Sequence, residues 1–121
     1  MSTFVIVGSG AAGLAAAEAI RRQDQKSKIQ IFTNDPYGYY SRPGLAYLLF
    51  GEIPQSQLYP FEPAYFKKLN IQMIQQPVQA IYPERHQVNV GKGSLISYDR
   101  LLLATGATAS KPEVSGFELE G

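Results

Sequence analysis

Six residues near the amino terminus, Gly8-Ser9-Gly10-Ala11-Ala12-Gly13, constrain this chain more than any others. They follow a short apolar, β-branched run, Thr3–Val7, and lead into Ala11–Arg22, a stretch rich in alanine and leucine that ends in two arginines. The first run reads as a buried strand, the second as a helix whose closing cations suit the negative end of its dipole. Ile29–Thr33 supplies a second strand, and strand–helix–strand over such a length is one βαβ unit with parallel strands. Glycine at the first, third and sixth positions of the intervening turn matches the G-x-G-x-x-G spacing of a pyrophosphate-binding loop. Gly8 lets the chain leave the strand sharply, Gly10 keeps side-chain atoms away from an approaching phosphate, and Gly13 lets the helix lie close on the strand. The unpaired N–H groups and positive dipole end of the helix then face the phosphates. The same glycines also suit a turn built for tight packing alone.

Length and composition narrow the remainder. The chain has 121 residues, one domain at most, with a formal net charge of +1. Neither end carries a charged tail, so no nucleic-acid footprint is expected. There is no cysteine, which excludes disulfides, cysteine-ligated metals and a thiol redox centre within these residues. The single His86 excludes a His-rich metal site or a Ser-His-Asp triad. Phe4–Ile20 is apolar enough to suggest a signal peptide, but nothing basic precedes it and three glycines interrupt it. The expectation is a cytoplasmic protein with no membrane partner and no metal.

Beyond Thr33 the character changes. Residues 34–66 are punctuated by Pro and Gly and hold nine of the fourteen aromatic residues, from Tyr37 to Phe66. The pattern predicts a loop, a short helix over Leu45–Phe50, a Pro-rich connection and a second helix over Pro63–Leu69. Ile71–Ile74 reads as a strand. From Val78 onward, short strands with turns at Glu84–His86 and Gly91–Ser94 read as an antiparallel meander. Leu101–Ala104 is a continuous apolar run, which suits a strand buried on both faces. The expected fold is α/β: a Rossmann-like parallel sheet with a helix on one face and the meander on the other.

Several polar residues are candidates for binding. A ribose-binding acid belongs at the end of the second strand, where the chain has Asn34 and then Asp35; the same pair also suits the turn before Pro36. Arg42 can meet a pyrophosphate through its planar fork, or pair on the surface with Asp35 or Glu52. The aromatic residues either frame a flat ring or pack beneath the long loop. His86 sits among polar neighbours and reads as solvated.

Three segments together, Thr3–Gly13, Tyr40-Ser41-Arg42-Pro43-Gly44-Leu45 and Tyr98–Ala107, resemble the N-terminal part of the FAD-dependent pyridine nucleotide-disulfide oxidoreductase superfamily. The ferredoxin/rubredoxin reductase, NADH oxidase and nitrite-reductase-like branches fit best. The resemblance implies that Gly8, Gly10, Ala12 and Gly13 hold the FAD pyrophosphate, with Asn34 and Asp35 at the ribose. It places Arg42 near the FAD, the backbone of Val78 at the adenine edge, and Thr105 and Gly106 in a second FAD-contacting turn. It implies a flavoprotein that passes electrons from NAD(P)H through FAD to an acceptor, which can itself be a protein. Without the resemblance, a non-catalytic dinucleotide-binding or interaction module remains the alternative.

Three departures qualify what the resemblance implies. Pro43 occupies the position of the redox cysteine of the disulfide branches, so no thiol step is expected there. Tyr47 stands where ferredoxin-reductase-like members carry a lysine near the flavin. The family's second G-x-G-x-x-G, for NAD(P)H, and its closing Gly-Asp motif are not in the sequence. The 121 residues are therefore expected to form the N-terminal portion of an FAD-binding domain, incomplete relative to the family and inactive alone. No residue among them is assigned a catalytic role. A homodimer through an exposed sheet edge or the aromatic segment is a further expectation.

Overall fold

The computed structural model describes residues 1–120. Strand β1 (Thr3–Val7), helix α1 (Ala11–Gln23) and strand β2 (Lys28–Phe32) form the opening unit. The two strands are parallel, with Thr3 opposite Lys28 and Val7 opposite Phe32. Because side chains alternate along a strand, β1 feeds two separate cores. Ile6 joins Ala17 of α1 with Ile29, Ile31 and Ile71, while Val5 joins Phe32, Val88 and Val90 on the opposite face.

Helix α1 buries Gly13, Leu14, Ala17 and Arg21, the three- and four-residue spacing of a helix packed along one stripe. Arg21 lies in the last turn of α1, as expected of a closing cation. It is buried and donates to the carbonyls of Asp24, Ser27, Leu69 and Asn70. Four carbonyl acceptors satisfy the guanidinium without a carboxylate, and they tie the end of α1 to the turns on either side of the sheet edge.

Helix α2 (Gly44–Leu49), a 3-10 turn at Gln55–Leu58 and helix α3 (Pro63–Lys68) lead to β3 (Ile71–Ile74), parallel to β2. The meander consists of β4 (Ala80–Tyr82), β5 (Gln87–Asn89) and β6 (Leu95–Ser97), joined in that order. It lies across the sheet face opposite α1, where Val78, Ile81 and Ile96 pack around buried Val88.

Strand β7 (Arg100–Leu103) pairs with β1, completing the order β3-β2-β1-β7. Here the expectation of a strand buried on both faces is corrected. Strand β7 is the outer strand, and Leu102 and Leu103 remain 38% and 56% exposed. Its apolar run is continuous and Leu101 packs toward the core, but among the described residues no strand pairs with its far edge. No helix among them is long and apolar enough to cross a membrane.

Candidate functional site

The turns that follow β1 and β7 lie side by side at the carboxyl end of the parallel sheet, where open α/β sheets bind ligands. The Ala104 N–H donates to the Val7 carbonyl at 2.8 Å and brings the two turns together. Gly8 has φ +113°, and a Cβ there would lie 2.1 Å from the Ala104 carbonyl oxygen. A Cβ on Gly13 would lie 2.1 Å from the Gly8 carbonyl oxygen. Both glycines are thus demanded by close backbone approach.

Gly10 differs. Its φ of −78° and ψ of −170° are open to any residue. A Cβ on it would meet only Arg42 Nη1, at the ordinary contact distance of 3.5 Å. Packing alone therefore explains the first and last glycines of the turn and leaves the middle one unexplained.

A cavity of about 540 Å³ opens over this place, lined by Gly8–Ala12, Thr33–Asp35, Tyr39–Pro43 and Ala104–Thr108. A smaller hollow of about 170 Å³ adjoins it, lined by Val7, Gly8, Phe32, Thr33, Asn34, Pro77, Val78 and Thr105. Of the residues singled out from the sequence, Gly8, Gly10, Ala12, Asn34, Asp35, Arg42, Thr105 and Gly106 border the larger cavity. Val78 borders the smaller one, and Gly13 lies behind the turn on neither wall.

The electrostatics suit an anion. The first turn of α1 holds no acid, and its first intrahelical bond is from the Leu14 N–H to the Gly10 carbonyl. The N–H groups of Ala11, Ala12 and Gly13 are left at the positive end of the dipole. Arg42 lies over the Tyr40 ring, 4.8 Å from its centroid, and pairs with Asp35 at 3.2 Å. Asp35 also accepts the Tyr37 N–H at 2.9 Å, whereas the Asn34 amide has no protein partner among the described residues. Pairing with Asp35 and proximity to Gly10 thus hold for Arg42 together, and Glu52 plays no part.

Ser9 and Thr33 are contributors that sequence reasoning passed over. Both are buried, with Ser9 Oγ 2.9 Å from Thr33 Oγ1 and 3.2 Å from the Gly38 carbonyl. Thr33 Oγ1 also accepts the Asp35 N–H at 3.0 Å, so the end of β2 is braced against the glycine turn. A serine alone in an apolar run was the available signal. Of the aromatic residues, Tyr39 and Tyr40 reach the cavity wall. Phe61, Tyr65 and Phe66 pack on one another. His86 is exposed and lies 5.6 Å from the Tyr98 ring. No group of metal-binding side chains occurs among the described residues.

Comparison with known proteins places these features in context. The family described as pyridine nucleotide-disulphide oxidoreductase matches residues 2–121. The rubredoxin-NAD(+) reductase of Ectopseudomonas oleovorans is 34% identical over 98% of this chain and 31% of its own length. The ferredoxin–NAD(+) reductase component of the biphenyl dioxygenase system of Paraburkholderia xenovorans is 30% identical over 100% of this chain and 30% of its own. The solved NAD-dependent persulfide reductase from A. fulgidus superposes with a TM-score of 0.89 and 37% identity, over 98% of this chain and 24% of its own. The chain therefore spans about a third or less of the length of these relatives.

Proposed function

Because this chain belongs to the pyridine nucleotide-disulphide oxidoreductase family, we propose that residues 1–121 form the N-terminal portion of an FAD-binding domain. The protein that contains them is a flavoprotein oxidoreductase. FAD held there would supply the redox chemistry, hydride acceptance from NAD(P)H bound outside these residues and onward electron transfer. The acceptor is a small electron-carrier protein of the ferredoxin or rubredoxin kind named for its relatives. Pro43 on the cavity wall offers no thiol, so electrons do not pass through a cysteine of this segment.

The observation that carries this reading is Gly10. Neither its backbone angles nor its protein neighbours need glycine, yet it lines the cavity between the start of α1 and Arg42. A phosphate approaching the Ala11 and Ala12 N–H groups needs that space clear. Arg42 stands ready as a second donor, because a half-exposed pair with Asp35 costs little to break. Asn34 is the free acceptor for the ribose. The hollow bounded by Val7, Pro77 and Val78 is an apolar seat for the adenine, with the Val78 backbone at its edge. Thr105 borders both the hollow and the larger cavity, and Gly106 borders the larger one. The chain's own contribution is to bind and orient, and no proton transfer is assigned to any of its residues.

The test is an FAD titration of the protein at its natural length, with Gly10→Val beside it. Valine is tolerated by the backbone there but fills the phosphate approach. FAD affinity is expected to fall at least several-fold while the thermal transition is retained. Unchanged flavin content in a folded Gly10→Val protein overturns the assignment.

A further inference from the structure

The helix that opens at the glycine turn carries Glu18 about two turns further along. There its carboxylate accepts a hydrogen bond from the Tyr65 hydroxyl of α3. The Tyr65 ring stacks on Phe61, with centroids 4.5 Å apart and planes 21° from parallel. Phe61 in turn meets Tyr39 at 5.5 Å, and Tyr39 lines the dinucleotide cavity. Four side chains from three separate segments thus run from the middle of α1 to the cavity wall.

Helix α3 needs such an anchor. It is six residues long, has no buried residue and no side-chain N-cap, and a helix of that length is not stable by itself. Phe66 and Leu69 rest against the core on the α1 side, and the Tyr65–Glu18 bond is charge-assisted. The carboxylate also holds the Tyr65 hydroxyl above its ordinary tyrosine value, so the donor keeps its proton throughout neutral pH.

We propose that Glu18 and Tyr65 are a positioning pair that holds Phe61 and Tyr39 in place and so sets how tightly the cavity grips its dinucleotide. The inference rests on the FAD reading above.

The experiment measures FAD dissociation constants at neutral pH for the natural-length protein and for Tyr65→Phe, Glu18→Gln, Tyr39→Ala and the Tyr65→Phe/Tyr39→Ala pair. Tyr65→Phe keeps the ring stack and removes only the hydroxyl. It is expected to weaken binding roughly three- to tenfold, within the usual range of coupling between contacting residues. Glu18→Gln, which keeps an acceptor for the Tyr65 hydroxyl, is expected to lose far less affinity than Tyr65→Phe; a loss as large as that of Tyr65→Phe counts against the hydrogen bond as the positioning contact. In the Tyr39→Ala background, Tyr65→Phe is expected to cost nothing further, a result that general loosening of the fold does not produce. Equal losses with and without Tyr39, or no loss at all, overturn the positioning role and leave the FAD reading standing. Failure of the unsubstituted protein to bind FAD overturns both.

Discussion

The three glycines of the opening turn have different physical duties, and substitution separates them. At Gly13 an added methyl meets a backbone carbonyl that cannot swing away, at 2.1 Å. Gly13→Ala is expected to lower stability by about 1–3 kcal/mol, the range for forcing atoms into a close-packed contact. Gly10→Ala meets only the far end of Arg42 and is expected to leave stability within about 0.5 kcal/mol. Denaturant unfolding of the two variants reads the difference. The sequence spacing made the turn legible but could not rank its members, because the atoms that crowd Gly8 belong to Ala104, ninety-six positions away. Asn34 and Asp35 were equally hard to separate. Only in three dimensions does Arg42 engage the second and leave the first free.

The joint between α1 and β2 is governed by one carboxylate. Asp24 follows the helix and accepts a hydrogen bond from the Ser27 hydroxyl and from the N–H groups of Lys26 and Ser27. Those bonds, the Ser27 hydroxyl first, lower its pKa to about 2. A carboxylate whose pKa is depressed by folding contributes stability in full above its unfolded value, near 3.8, and loses it as pH falls through about 2. Asp24→Asn is therefore expected to melt at a lower temperature than the parent at pH 7, with the gap narrowing between pH 4 and 2. Thermal unfolding of both proteins across that range checks it. The βαβ unit itself was readable from periodicity, since the two- and 3.6-residue repeats act within each segment. The burial of Arg21 was not. Its four acceptors come from the turn after α1 and the approach to β3, and they meet only once β3 lies beside β2.

Taken as one body, the molecule is well covered at β1 and β2 and bare at β7. Leu102 and Leu103 point to opposite faces of an outer strand whose far edge has no partner among the described residues. Such an edge is a template for another chain. The 121 residues by themselves are expected to self-associate as concentration rises, and Leu103→Lys to reduce that association, because a charge on an edge strand opposes pairing. Sedimentation over a range of concentrations distinguishes the two. Equal association by both proteins would place the contact elsewhere, with the exposed Leu49 and Phe50 at the end of α2 as the next surface.

Local chemistry was enough to specify the strand–turn–helix–strand opening with its glycine-rich turn and the antiparallel meander. In each of these the governing interactions join near neighbours in the chain. Long-range contact decided the rest. Side-chain type showed that Leu101–Leu103 is apolar, but strand order alone made it an edge. Aromatic residues were plain to see in residues 34–66, yet which of them face the cavity followed from where Leu58 and Glu18 pin the loop. A repeat along the chain reports which face a residue occupies. It carries no record of which distant segment that face will meet, and here that meeting brings Ala104 onto Gly8 and closes the site.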